Sequence, residues 1–158
     1  MEQVSMSKAV RLPKWCSIVR TNPALYEKEA FSHPHIQAPR DAVALLRPFL
    51  SRQEVEHVVV ICLDSQHRAM AVTQVTKGLL NSSLIHPREV FRIAVAMGAA
   101  AILVAHNHPS GDPSPSANDR VVTEQLAAAG RVLDIPVHDH IIIAGEDRYT
   151  SFAEAGLL

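Results

Sequence analysis

The stretch AAAILVAHNHPSGDPSPSAND, residues 99–119, constrains this chain more than any other. A continuous apolar run ending in polar turn formers reads as a fully buried strand, so the chain must build a sheet with core packed on it. The run ends in His106 and His108, passes through a proline-punctuated turn, and then places Ser116 and Asp119 at the opening of the next helix. One intervening residue on an extended segment puts both imidazoles on the same side of the sheet.

The surrounding pattern is that of an α/β layered domain around one sheet. Residues 38–50 show helical spacing, with Ala42, Leu45, Leu46 and Phe49 on one face and Pro48 weakening the end. The β-branched run 58–63 and the extended segment 69–76, joined by DSQHR, form an expected hairpin. Over 86–98 the spacing of Val90, Ile93, Ala94 and Met97 predicts a helix, with Pro87 in its first turn and Gly98 as its stop. A further helix is expected from Ser116 to about Gly130, closed by that glycine, and a last strand in PVHDHIIIAG before the turn GEDR and a short tail. Residues 1–35 are expected to be an N-terminal extension, with a strand over 15–20 that can serve as a sheet edge.

Composition narrows the function. The chain has 158 residues, enough for one domain that buries roughly two thirds of its unfolded surface. Its net charge of −1 lacks the basic footprint of a nucleic-acid binder. Cys16 and Cys62 are the only cysteines, which excludes a disulfide framework and a thiolate-rich zinc site and fits a reducing cytoplasm. The longest apolar run, 93–105, is interrupted by Gly98 and falls short of the roughly 18–20 residues that span a membrane. The expectation is a cytoplasmic protein with no membrane segment.

Two histidines and one carboxylate make three protein ligands and leave a fourth tetrahedral position for water, the arrangement of a catalytic zinc. Such a zinc would lower the pKa of its water toward about 7 and polarise a carbonyl under attack, and mixed N/O ligation also suits other first-row metals. Ser116 and Asp119 also fit a capping box, and the two roles are compatible. A hydrolase of this kind needs a proton shuttle. Glu56, at the head of EHVVVICLD, is a candidate, with Glu54 an equal rival on the residues alone. The pair His33 and His35 has no Ser-x-x-Asp after it, and neither has His138 and His140, which are expected to end a strand or stand behind a ligand rather than bind metal. Ser110 and Asp112 are expected to form turns, Asn107 to brace the loop, and Cys62 to act as a small buried apolar residue.

At these residues the sequence resembles the RadC family, within the wider JAMM (MPN) metalloproteases. The pattern His-x-His, seven residues, Ser, two residues, Asp is met in full by His106, His108, Ser116 and Asp119, and HNHPSGDPSPS, LDSQHR, HPREVFRIA, DHIIIAG and YTSFAEAGLL extend the likeness over 36–158. The resemblance implies a three-layer α/β/α fold with a central mixed sheet, related to the cytidine-deaminase-like group. It implies one zinc per chain on His106, His108 and Asp119, Ser116 as donor to an oxyanion, and Glu56 as general base, since Glu56 directly precedes the core strand and Glu54 falls two residues early. The implied activity is hydrolysis of peptide or isopeptide bonds in a protein or peptide substrate. Alternatives are a non-catalytic MPN-type interaction module and a DNA-repair-associated RadC-like protein, although the chain is too short for the helix-hairpin-helix segment of longer RadC proteins. A zinc deaminase would need a Pro-Cys-x-x-Cys pair, which is absent.

Overall fold

The structure, a computed structural model, describes residues 33–78 and 85–158. Its elements run α1 (Pro39–Leu50), β1 (His57–Leu63), β2 (Ala69–Lys77), α2 (Pro87–Met97), β3 (Ala101–Asn107), α3 (Ala117–Leu133), β4 (Val137–Ala144) and β5 (Arg148–Ser151). The strand expected over 15–20 lies outside the described residues. Among the described residues no helix is long and apolar enough to cross a membrane.

The five strands form one mixed sheet in the order β2-β1-β3-β4-β5. β1 pairs antiparallel with β2 and with β3, β3 runs parallel to β4, and β4 pairs antiparallel with β5. The central strands β1 and β3 are buried along their whole length, as their unbroken apolar runs require. Alternation along the strands feeds two cores. Val58, Val60, Ile102 and Val104 face Val90, Phe91, Ile93 and Ala94 of α2 and Val122 and Leu126 of α3. Val59, Ile61, Leu103, Ala105, Ile141 and Ile143 face Ala42, Val43, Leu46 and Leu50 of α1. The result is a three-layer α/β/α domain, with α1 on one side of the sheet and α2 and α3 on the other. Each fully buried aliphatic side chain in these layers contributes about 1.5–3 kcal/mol through removal from water.

Three local expectations are corrected. On α1 the buried stripe is Ala42, Val43, Leu46 and Leu50, and Leu45 and Phe49 are only partly covered. Both stripes obey helical spacing, and docking on the sheet selected between them. Gly130 does not end α3. The helix continues to Leu133 and is capped by Asp134 in the left-handed region (φ 56°). Gly130 instead permits a close approach, because a Cβ there would lie 2.6 Å from the carbonyl oxygen of Ile135 and 3.2 Å from Phe91 Cζ. The segment after GEDR is not merely a tail, since 148–151 pair with β4 as the edge strand β5. Gly98 ends α2 as expected, at φ 62°.

Candidate metal centre

The antiparallel register of β1 and β3 brings the start of one strand to the end of the other. Val58 is level with His106. Two residues further out along each segment lie Glu56 and His108, which line one cleft. α3 starts beside the same sheet edge, after the turn containing Pro109, Pro113 and Pro115.

His106 is the penultimate residue of β3, with its ring buried on the α3 face, and His108 follows the strand end, its backbone N–H donating to the carbonyl of Ile143 at 2.9 Å. The two Nε2 atoms are 3.0 Å apart. Asp119 completes the group, with Oδ1 3.3 Å from His106 Nε2 and Oδ2 3.5 Å from His108 Nε2. One ligand atom from each of the three residues thus falls within 4.8 Å of the others, a grouping able to hold a metal ion. Burial disfavours ionisation of Asp119, but its contacts with His106, His108 and Ser116 outweigh it and hold the carboxyl well below the usual carboxylate range. The bond to Asp119 raises the pKa of His108, against a smaller opposing effect of burial.

Ser116 is the N-cap of α3. Its Oγ accepts from the backbone N–H of Asp119 at 3.1 Å and donates to Asp119 Oδ2 at 2.7 Å, and its own backbone N–H donates to the same oxygen at 2.8 Å. The capping box and the candidate ligand set therefore share one carboxylate, whose position is set by the helix start.

The turn between ligand and helix is built as its residues demand. Asp112 N–H donates to Ser110 Oγ at 3.3 Å, and Ser114 N–H donates to Asp112 Oδ1 at 2.9 Å. The backbone carbonyl of Asp112 lies 2.8 Å from His108 Nδ1. A carbonyl only accepts, so Nδ1 carries a proton, and in the neutral ring Nε2 turns its lone pair toward His106 and Asp119.

A cleft of about 300 Å³ opens over this group, walled by Glu56, His108, Ser110, Asp112, Ser114, Ser116, Asn118 and Asp119. Glu54 is exposed and is not part of that wall. Asn107, between the two histidines, points to the opposite face and binds the backbone on both sides of Glu56.

Behind His106 stands a residue of the last His-x-His pair. His140 Nε2 lies 2.9 Å from His106 Nδ1, and His140 Nδ1 lies 2.6 Å from Thr123 Oγ1. The Thr123 hydroxyl donates to the backbone carbonyl of Asp119 at 2.6 Å. His140 stacks on the fully buried Phe152 at 4.9 Å, and burial pushes its pKa well below the ordinary imidazole value. His138 faces away, in an edge contact with His67. His33 and His35 bond to the backbone carbonyls of Ala69 and Gln66. Thr123, buried one turn after Asp119, carried no signal in the sequence, because a threonine in a helix is read only through what it meets.

Residues 36–157 match the family model described as RadC-like JAB domain. The UPF0758 protein of Symbiobacterium thermophilum is 46% identical over 120 residues, covering 76% of this chain and 51% of that protein. A UPF0758 protein of Chloroflexus aurantiacus is 48% identical over 122 residues, 77% of this chain and 53% of its own length. One from Moorella thermoacetica is 39% identical over 160 residues, 100% of this chain and 69% of its own length. The chain spans about half the length of most of the curated relatives it matches. With the family model covering 122 of 158 residues, this chain belongs to the RadC-like JAB domain family.

Proposed function

We propose that the chain is a zinc-dependent metallohydrolase that cleaves peptide or isopeptide bonds of a protein or peptide substrate, in the cytoplasm, with one zinc per chain. The observation that carries this is the convergence of His106 Nε2, His108 Nε2 and the Asp119 carboxylate on one point at the foot of the cleft. The donor set fits the ion: His108 presents a lone pair there, and a nitrogen and a carboxylate stand beside it. Two histidines and one carboxylate leave a position for water.

When bound, the zinc supplies Lewis-acid polarisation and lowers the pKa of a coordinated water toward about 7. The chain's own residues do the rest. Glu56, on the cleft wall with His108, takes the proton of the attacking water and returns it to the leaving amine. Ser116 turns its hydroxyl from Asp119 Oδ2 into the cleft to donate to the oxyanion of the tetrahedral intermediate. The hydroxyl-lined cleft walls receive the backbone of an extended substrate.

Peptide-library cleavage combined with metal analysis tests this. Wild-type chain is expected to hold one zinc and to cleave. Glu56→Gln is expected to keep the zinc and lose turnover, and His108→Ala to lose both. An active Glu56→Gln beside an inactive Glu54→Gln would overturn the assignment of the base, and a chain that takes up no zinc would overturn the hydrolase.

A further inference from the structure

We propose that His140, held by Thr123, is a positioning residue that fixes His106 in its Nδ1–H tautomer and so presents the His106 Nε2 lone pair to the metal. This rests on the metal centre proposed above. The direction of each hydrogen bond follows from the one end that has no choice. The Asp119 backbone carbonyl can only accept, so the Thr123 hydroxyl proton points to it. A hydroxyl has one proton, and toward His140 Thr123 Oγ1 is therefore an acceptor, which places a proton on His140 Nδ1.

His140 is 2% exposed, its ring stacked on Phe152, and its two nitrogens meet a hydroxyl and another imidazole. A charged ring is not held in such surroundings, and a neutral ring with its proton on Nδ1 offers a lone pair at Nε2. His106 Nδ1 must then donate to it, and His106 Nε2 is left bare at the metal position. Without this partner an imidazole favours the proton on Nε2, the nitrogen that must bind the ion.

The relay is a closed structure. It leaves one ligand on β3, crosses to β4 through His140, passes to α3 through Thr123, and ends on the backbone of the second ligand, Asp119. It thereby ties together two ligands from different elements. Partners of this kind orient a ligating histidine and set its basicity, and their loss costs about 10–100-fold in metal affinity.

The test is Thr123→Val, which touches neither His106 nor the cleft and keeps the shape of the side chain. Without the hydroxyl acceptor, His140 is expected to carry its proton on Nε2 and to donate to His106, driving His106 to the Nε2–H tautomer. Competition against a chromophoric chelator is expected to show zinc affinity about 10–100-fold weaker, with Thr123→Ser restoring it. Imidazole nitrogen chemical shifts of the zinc-free chain at alkaline pH are expected to report a bare His106 Nε2 in the wild type and a protonated one in Thr123→Val. Wild-type affinity in a folded Thr123→Val, or a protonated His106 Nε2 in the zinc-free wild type, would overturn the proposal. If Thr123→Val does not fold, the wild-type nitrogen shifts decide alone. Zinc binding without hydrolysis would count against the proposed function and leave the relay standing. A wild-type chain that binds no zinc would defeat that function, while the nitrogen shifts still decide the relay.

Discussion

Asn107 Oδ1 accepts the backbone N–H of His57 across 2.7 Å. The same side chain donates from Nδ2 to the carbonyl of Val55 at 3.0 Å, so one amide group brackets residue 56 from both sides. Asn107→Ala leaves the His57 N–H without its acceptor, and a buried group left unpaired costs about 1–3 kcal/mol. Urea denaturation is expected to show that loss. Turnover is expected to fall further than zinc affinity, because the released segment carries Glu56 and not a ligand.

Gly130→Ala tests the correction at the end of α3. In an open helix the change would stabilise by roughly 1 kcal/mol. Here the new methyl group meets the Ile135 carbonyl oxygen at 2.6 Å, and overpacking of a closed site costs about 1–3 kcal/mol. Thermal denaturation is expected to show a lower melting temperature, and an unchanged or higher one would mean the α3–β4 connection yields easily.

Ser116→Ala separates the cap from the ligands. Loss of an N-cap hydroxyl costs about 1 kcal/mol. The backbone N–H of Ser116 still holds Asp119 Oδ2, so zinc stoichiometry is expected to persist. Turnover is expected to drop by about 100-fold or more if the hydroxyl serves the oxyanion. Stopped-assay kinetics beside metal analysis distinguish this from simple loss of the ion.

The pH dependence follows from His108, whose pKa is raised by its bond to Asp119. A raised folded-state value means that, in the zinc-free chain, its contribution to stability is full below the unfolded value of about 6.5 and is lost as pH rises through the folded one. The proposed zinc would need the same nitrogen without its proton, so the two would compete. The increase in melting temperature on adding zinc is therefore expected to be larger at about pH 8 than at about pH 6. Scanning calorimetry at the two pH values checks this, and an increment independent of pH would exclude His108 as a ligand.

Much of the domain was legible from short-range pattern. The β1–β2 hairpin, the Pro87 start and Gly98 stop of α2, and the Ser116 cap each depend on residues a few positions apart. The errors share a cause. Leu45 and Phe49 compete with Val43 and Leu50 for the sheet on equal helical terms, and Gly130 resembles a stop until Phe91 and Ile135 are seen packed against it. RYTS is too short to announce itself as a strand and becomes one by pairing with Ile141–Ala144.

What the sequence by itself determined was the grouping of His106, His108 and Asp119, because one-residue spacing on a strand and a capped helix after a stiff turn are local geometry. Only the tertiary structure brought Glu56 to the cleft beside His108 and set His140 behind His106. Those neighbours lie 52 and 34 positions apart, and strand register and helix docking, not spacing along the chain, decide which distant side chains meet.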